Sequence, residues 1–294
     1  MEETERKKLV SGSFAVCIYL AAFMVLLFVC SLFYGGIAGG ILLLLKENPE
    51  NSDSLWVLFV MEIALLLAVL TSVAVLLRME QRGFSELGLS VKGRAADIGY
   101  GMLMALSIYA IGFGLCLVTG EVEVAGVHFS LLSLIASWGF YLLVALAEEI
   151  MARGYLLGMM LRHNVNRFLA LFISSLLFSL LHMFNPNFGL LPMINLVLAG
   201  FLLGASFLYT RNLWFPISLH LFWNWLQGPV LGYQVSGNER EGILDLHLPQ
   251  ETVWNGGSFG FEGSLICTVL MILGTAVIVL WGEKRLLLRH TRHA

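Results

Sequence analysis

Glu148 and Glu149 stand side by side in one of the most apolar stretches of the chain, and Arg153 follows four residues later. From Leu131 to Leu161 these three are the only charges, set among Leu, Ala, Ile, Met, Gly and aromatic residues. A charged side chain in hydrocarbon costs roughly 2.5–3.5 kcal/mol on insertion scales, so such residues mark a functional site by default. Neighbours on a helix point about 100° apart, so the two carboxylates take different roles. Glu149 and Arg153 are i,i+4 with the Glu first, the favoured order for an ion pair. Their pairing partly offsets the burial cost of both. Glu148 is left on another face, where a desolvated carboxylate can serve as a general base. The competing reading is a structural polar knot between helices.

Two further patterns place polar groups in apolar surroundings. Phe178-Ser-Leu-Leu-His182 ends one apolar run, and His220-Leu-Phe-Trp-Asn224 occupies another. In the second, the i,i+4 spacing puts an imidazole and an amide on one face, and both can donate hydrogen bonds toward one point. A carbonyl oxygen turning into an oxyanion needs such donors. Each residue taken alone is more often packing glue between helices. Together, a Glu, a His and a His/Asn pair supply a base, its partner and an oxyanion site, the minimal kit for water attack on an amide. Asn195 and Glu62 are the other strongly polar residues in apolar runs. Glu62 belongs to none of the three patterns and reads as a structural hydrogen-bonder or a cavity-lining residue.

The elements that must position these groups are membrane helices. Hydrophobic residues make up 58% and charged residues 13% of the chain, about half the charged share of a soluble domain. Mean hydropathy is +0.83. Eight apolar stretches are long enough to span, near 12–34, 55–77, 98–119, 130–151, 168–184, 188–209, 213–231 and 264–282. The first run continues to Leu45, as a longer helix or one broken at Gly35-Gly36. The expected fold is all-α: a polytopic, eight-transmembrane-helix bundle, one integral membrane domain over 1–294, with both termini cytoplasmic.

Charge placement agrees with that topology. Arg6, Lys7, Lys8, Arg78, Arg82, Lys92, Arg94, Arg162, Arg167, Arg211, Lys284, Arg285, Arg289 and Arg292 all fall on inner segments, and only Lys46 and Arg240 fall outside. Charge arranged this way does not point to nucleic acid. Cys17, Cys30, Cys116 and Cys267 all lie in spans and form neither a disulfide pattern nor a zinc cluster. The outer loop, residues 232–263, reads as a lid or, in preference, a disordered cap. The G-x-x-x-G pairs Gly35/Gly39, Gly36/Gly40 and Gly200/Gly204 are expected to pack helices within the bundle. No internal repeat of the kind that marks inverted-repeat transporters is present.

The order E-E-x-x-x-R, F-x-x-x-H, H-x-x-x-N on late spans resembles the CPBP family, the type II CAAX prenyl endopeptidases and their bacterial relatives. The resemblance covers the segment 129–232, with no departure at any motif position. It implies an intramembrane endopeptidase, a hydrolase in which Glu148 and His182 activate water while His220 and Asn224 hold the oxyanion. Glu149, Arg153 and Phe178 carry over as supporting residues. The implied partners are membrane lipid and a peptide or protein substrate, prenylated or membrane-embedded, in a bacterial cytoplasmic membrane.

The family is often labelled a metalloprotease. If zinc is held, Glu148, His182 and His220 are the ligands, although the chain lacks the H-E-x-x-H pair. The expectation is a metal-free, glutamate-activated water and no cofactor. Two alternatives belong to other classes. One is a non-catalytic scaffold or bacteriocin-immunity protein of the same fold. The other is a proton-coupled transporter using the same groups as a relay.

Overall fold

A computed structural model describes residues 3–50 and 54–293, with side chains described over 14–50 and 54–288. The side chains of Arg6, Lys7, Lys8, Arg289 and Arg292, on which part of the charge reading rests, lie outside the described residues.

The architecture is helical. α1 (Glu3–Leu44) runs unbroken through Gly35-Gly36, so the longer of the two expected forms is the one adopted. α2 (Leu55–Met79) and α3 (Ala95–Thr119) follow. α4 (Leu131–Glu149) passes directly into a π-helical stretch, Ile150–Leu157, and then α5 (Gly158–Arg162). This path from Leu131 to Arg162 is 32 residues long. At about 1.5 Å per residue it is about 48 Å, and Glu148 lies close to its midpoint. α6 (Arg167–Leu181), α7 (Leu190–Thr210), α8 (Trp214–Trp225) and α9 (Leu265–His293) complete the bundle.

Six of these helical paths are long and apolar enough to cross a membrane by length and composition. This is fewer than the eight spans expected. α6 has 15 residues and α8 has 12, the latter extended by a π turn, Leu226–Val230, that contains Pro229. Apolar runs in the sequence overestimate these two helices: after α6 the run continues into a turn where Met183 and Phe184 are exposed, and after α8 into the largely buried π turn. Both short helices carry motif residues.

Two corrections concern the loops and glycines. Residues 232–263 are not a disordered cap. They contain a strand, β2 (Leu244–His247), paired antiparallel with β1 (Glu123–Val127), which is the small exception to an all-helical fold. Among the glycine pairs, only Gly200/Gly204 pack two helices closely. A Cβ at Gly200 would lie 2.5 Å from the Ser175 Cβ, and one at Gly204 would lie 2.3 Å from Leu171 Cδ1, so α6 and α7 touch there. At Gly35, Gly36, Gly39 and Gly40 a Cβ would meet nothing within 4 Å, so that stripe of α1 packs no neighbour within the described residues.

α8 sits between two apolar clusters. Ile217 and Leu221 join one with α1, α2, α4 and α7, while Phe215, Leu219 and Trp223 join the other with α3, α7 and α9. A helix buried on all sides places His220 and Asn224 in the interior. Charged contacts gather at one end of the bundle. Arg162 pairs with Glu80 at 3.1 Å, Arg167 with Glu283 at 2.8 Å, and Arg94 with Asp97 at 2.9 Å. The two-stranded sheet and the 232–263 loop occupy the other end. All four cysteines are free thiols.

Candidate active site

The π-helical stretch begins immediately after Glu149 and contains Arg153. Its wider turn is a recurrent feature of functional sites. Ser174 of α6 donates to the Ala152 carbonyl at 2.9 Å, satisfying an acceptor inside the stretch. Arg153 is 1% exposed, and its Nη1 lies 2.7 Å from Glu149 Oε1, whose side chain is fully buried. The guanidinium also reaches the Gly200 carbonyl at 3.4 Å and stands 4.4 Å above the Phe178 ring. The i,i+4 pair expected from the sequence is therefore formed. Its cation, which loses its hydration by burial, is held by two further contacts: a carbonyl dipole and a ring quadrupole.

Phe178 has a larger part than the sequence indicated. Its ring lies 4.8 Å from that of His182 and 6.1 Å from that of His220, centroid to centroid, so one aromatic side chain spaces the Arg and both imidazoles. The i,i+4 spacing of Phe178 and His182 accounts for the first of these contacts, while those with Arg153 and His220 cross between helices and leave no mark in the sequence.

Both imidazoles are anchored through Nδ1. His182, in the turn that ends α6, contacts the Phe178 carbonyl at 2.8 Å, and His220 contacts Glu149 Oε1 at 2.8 Å. A carbonyl oxygen can only accept, so His182 carries its proton on Nδ1 there and presents Nε2 to the cavity. Each Nε2 lies 3.8 Å from the same atom, Glu148 Oε2. That oxygen is buried and has no hydrogen-bond partner among the described residues. Glu148, His182, His220 and Asn224 line one cavity of about 370 Å³, whose wall also includes Tyr141, Trp223, Val235, Ser236 and Glu262. The three sequence patterns thus converge on one space. Glu62 is not among the lining residues; it is a neighbour that feels the charges of Glu148 and His220 and has a buried, unpartnered Oε1. Ser236 and Glu262 reach the cavity from the 232–263 loop, and no sequence pattern marked them.

Anchoring through Nδ1 leaves Nε2 open, which is how metal-binding histidines are held. However, among the described residues no group of three or more His, Cys, Asp and Glu side chains is arranged to hold a metal ion. Glu148, His182 and His220 are nonetheless the donor types of a three-ligand centre, with both free imidazole nitrogens 3.8 Å from the same carboxylate oxygen, and no step below is routed through a metal.

Residues 129–226, 98 of the 294, match the family model described as Type II CAAX prenyl endopeptidase Rce1-like. The matched stretch contains Glu148, Glu149, Arg153, Phe178, His182, His220 and Asn224. No curated protein and no solved structure matches the chain.

Proposed function

We propose that this integral membrane protein, similar over its central third to the Rce1-like type II CAAX prenyl endopeptidases, hydrolyses a peptide bond with a water activated by Glu148 and His182. One observation carries the reading: the unpartnered Glu148 Oε2 faces two imidazole Nε2 atoms at equal distance on the wall of one cavity. A spacing of 3.8 Å is too long for a direct hydrogen bond, and the attacking water is placed beside this pair, within hydrogen-bond reach of both carboxylate and imidazole. Glu148 takes a proton from that water as it attacks the carbonyl carbon. The same carboxyl then returns the proton to the departing nitrogen.

His220 and Asn224 hold the oxyanion. Carrying both ring protons, His220 donates one to Glu149 and the other into the cavity. Glu149 and Arg153 act by fixing His220 rather than by touching substrate. No metal takes part; were one bound, Glu148, His182 and His220 would hold it.

The bundle is proposed to cross the membrane eight times, with α6 and α8 as short spans and both termini in the cytoplasm of a bacterial cell. The basic end of the bundle then faces inward, as the distribution of Lys and Arg favours. Its substrate is a peptide or protein that is prenylated or membrane-embedded.

Comparative membrane proteomics of wild type against Glu148→Ala tests the proposal. New peptide termini present only with the wild-type protein are expected. An unchanged set of termini, with both proteins inserted at equal level, would refute it and leave a non-catalytic scaffold of the same fold.

A further inference from the structure

We infer that Glu262 is a positioning residue of the catalytic cavity, acting from the loop before α9 to fix the wall that contains Asn224. The inference rests on the proposed reading of Asn224. Glu262 lies outside all three motifs and is buried, with 7% exposure. Its Oε1 accepts from Trp223 Nε1 at 2.8 Å, and Trp223 directly precedes Asn224. Its Oε2 accepts from the Ser236 backbone N–H at 3.0 Å and from the Ser236 hydroxyl at 2.6 Å. Three donors thus converge on one carboxylate, an arrangement of charge-assisted bonds about twice as strong as neutral ones.

The Ser236 end of this clip reaches the other half of the site. Asn185, three residues after His182, donates to the Ser236 carbonyl at 3.1 Å. Glu262 therefore ties together the helix that carries His220 and Asn224, the strap 232–240 and the turn that carries His182. Glu262 is itself seated from behind, because Asn195 of α7 donates to its backbone carbonyl at 2.6 Å. The strap fits its neighbours backbone to backbone. Gly237 has φ +82°, and a Cβ there would lie 1.9 Å from the Pro186 carbonyl oxygen. Only glycine satisfies both demands.

Residues 235–238 of this strap have no free N–H groups to offer a substrate strand. The N–H groups of Val235, Ser236, Gly237 and Asn238 are already bonded to Asn238, Glu262, Phe259 and Val235 respectively. The role of Glu262 is thus to hold a preformed wall, and its effect on the reaction passes through the groups that the wall orients. Asn224 is the nearest of these, one residue from the indole that Glu262 holds.

A kinetic double-mutant cycle tests this, with a quenched fluorescent peptide bearing a prenyl thioether near its C-terminus as probe. Glu262→Gln keeps the shape but turns an amide N–H₂ toward obligate donors. It is expected to lower kcat about 10- to 30-fold with KM within about threefold, because an oxyanion contact is made only in the transition state. In an Asn224→Ala background the same change is expected to cost no more than about twofold, since residues acting as a unit are not additive. Equal cost in both backgrounds would overturn the inference. Trp223→Phe and Ser236→Ala, each removing one donor, repeat the cycle should Glu262→Gln not fold.

A readout independent of turnover is the rate at which a cysteine at Asn238→Cys reacts with a water-soluble maleimide. Glu262→Gln should raise that rate about tenfold as the strap opens more often. An unchanged rate counts against the clip. Glu148→Gln is assayed in parallel: if it keeps wild-type kcat, the reading of the site fails, and the labelling rate still decides the role of Glu262.

Discussion

Glu149→Gln separates holding from reacting within the glutamate pair. Glu149 is fully buried and neutralises Arg153, which is 1% exposed, so solvent screens neither charge. Removing one partner of such a pair leaves an uncompensated buried charge, at a cost of about 3–5 kcal/mol. The Gly200 carbonyl at 3.4 Å and the Phe178 ring at 4.4 Å are already engaged with Arg153 in the wild type and supply no new compensation. The amide oxygen of Gln can still accept from His220, which places the expected loss toward the lower bound, about 3 kcal/mol. That is about two decades in the folded-to-unfolded ratio.

Glu148→Gln should behave in the opposite way. Its side chain is 20% exposed, its Oε2 has no hydrogen-bond partner, and both imidazoles stand 3.8 Å away. Contacts of this length contribute about 1 kcal/mol or less to stability. Equilibrium unfolding in mixed micelles, followed by tryptophan fluorescence, measures both variants. Glu149→Gln is expected to unfold at clearly lower denaturant and Glu148→Gln close to wild type, while Glu148→Gln has no peptidase activity. A third variant completes the test: Glu149→Met with Arg153→Leu should be more stable than Glu149→Gln, because it leaves no orphaned charge. If Glu149→Gln unfolds like wild type, or if Glu148→Gln is destabilised as much, the division of roles is wrong.

Two further outcomes are expected. Gly200→Ala forces a methyl to within 2.5 Å of the Ser175 side chain and 2.7 Å of its Cα, whereas Gly35→Ala meets nothing within 4 Å. The first should cost about 1–3 kcal/mol and the second should be nearly neutral, as read by thermal midpoints in detergent. For the metal question, purified protein is expected to keep its peptidase activity after chelation and to contain substoichiometric zinc. Stoichiometric zinc, with activity lost to the chelator and restored by the metal, would instead assign Glu148, His182 and His220 as ligands.

How much of this site could be read from the sequence depends on the range of each interaction. The Glu149–Arg153 pair is local, four residues apart on one helical path, so spacing alone located it. The convergence of Glu148 with His182 and His220 crosses three helices, yet the residues themselves were legible because charged and imidazole groups are scarce in apolar runs. Eight helical segments were visible from hydropathy. The fifth run, 168–184, was already the shortest of the eight, whereas the shortness of α8 was not visible, since apolar composition continues into the largely buried π turn Leu226–Val230. The packing of Gly200 and the idleness of Gly35 have the same sequence signature, and only the neighbouring helix distinguishes them.

Glu262 was illegible for the converse reason. It sits in a loop with Glu239, Glu241 and Glu251, where an acid is ordinary, and its three donors come from residues 26 to 39 positions away. A carboxylate in an apolar run declares itself by its cost. A carboxylate in a polar loop that folds back into the bundle has the same cost and no local sign of it. The 232–263 loop therefore has to be counted with the helices when the cavity is built, because its wall is made from both.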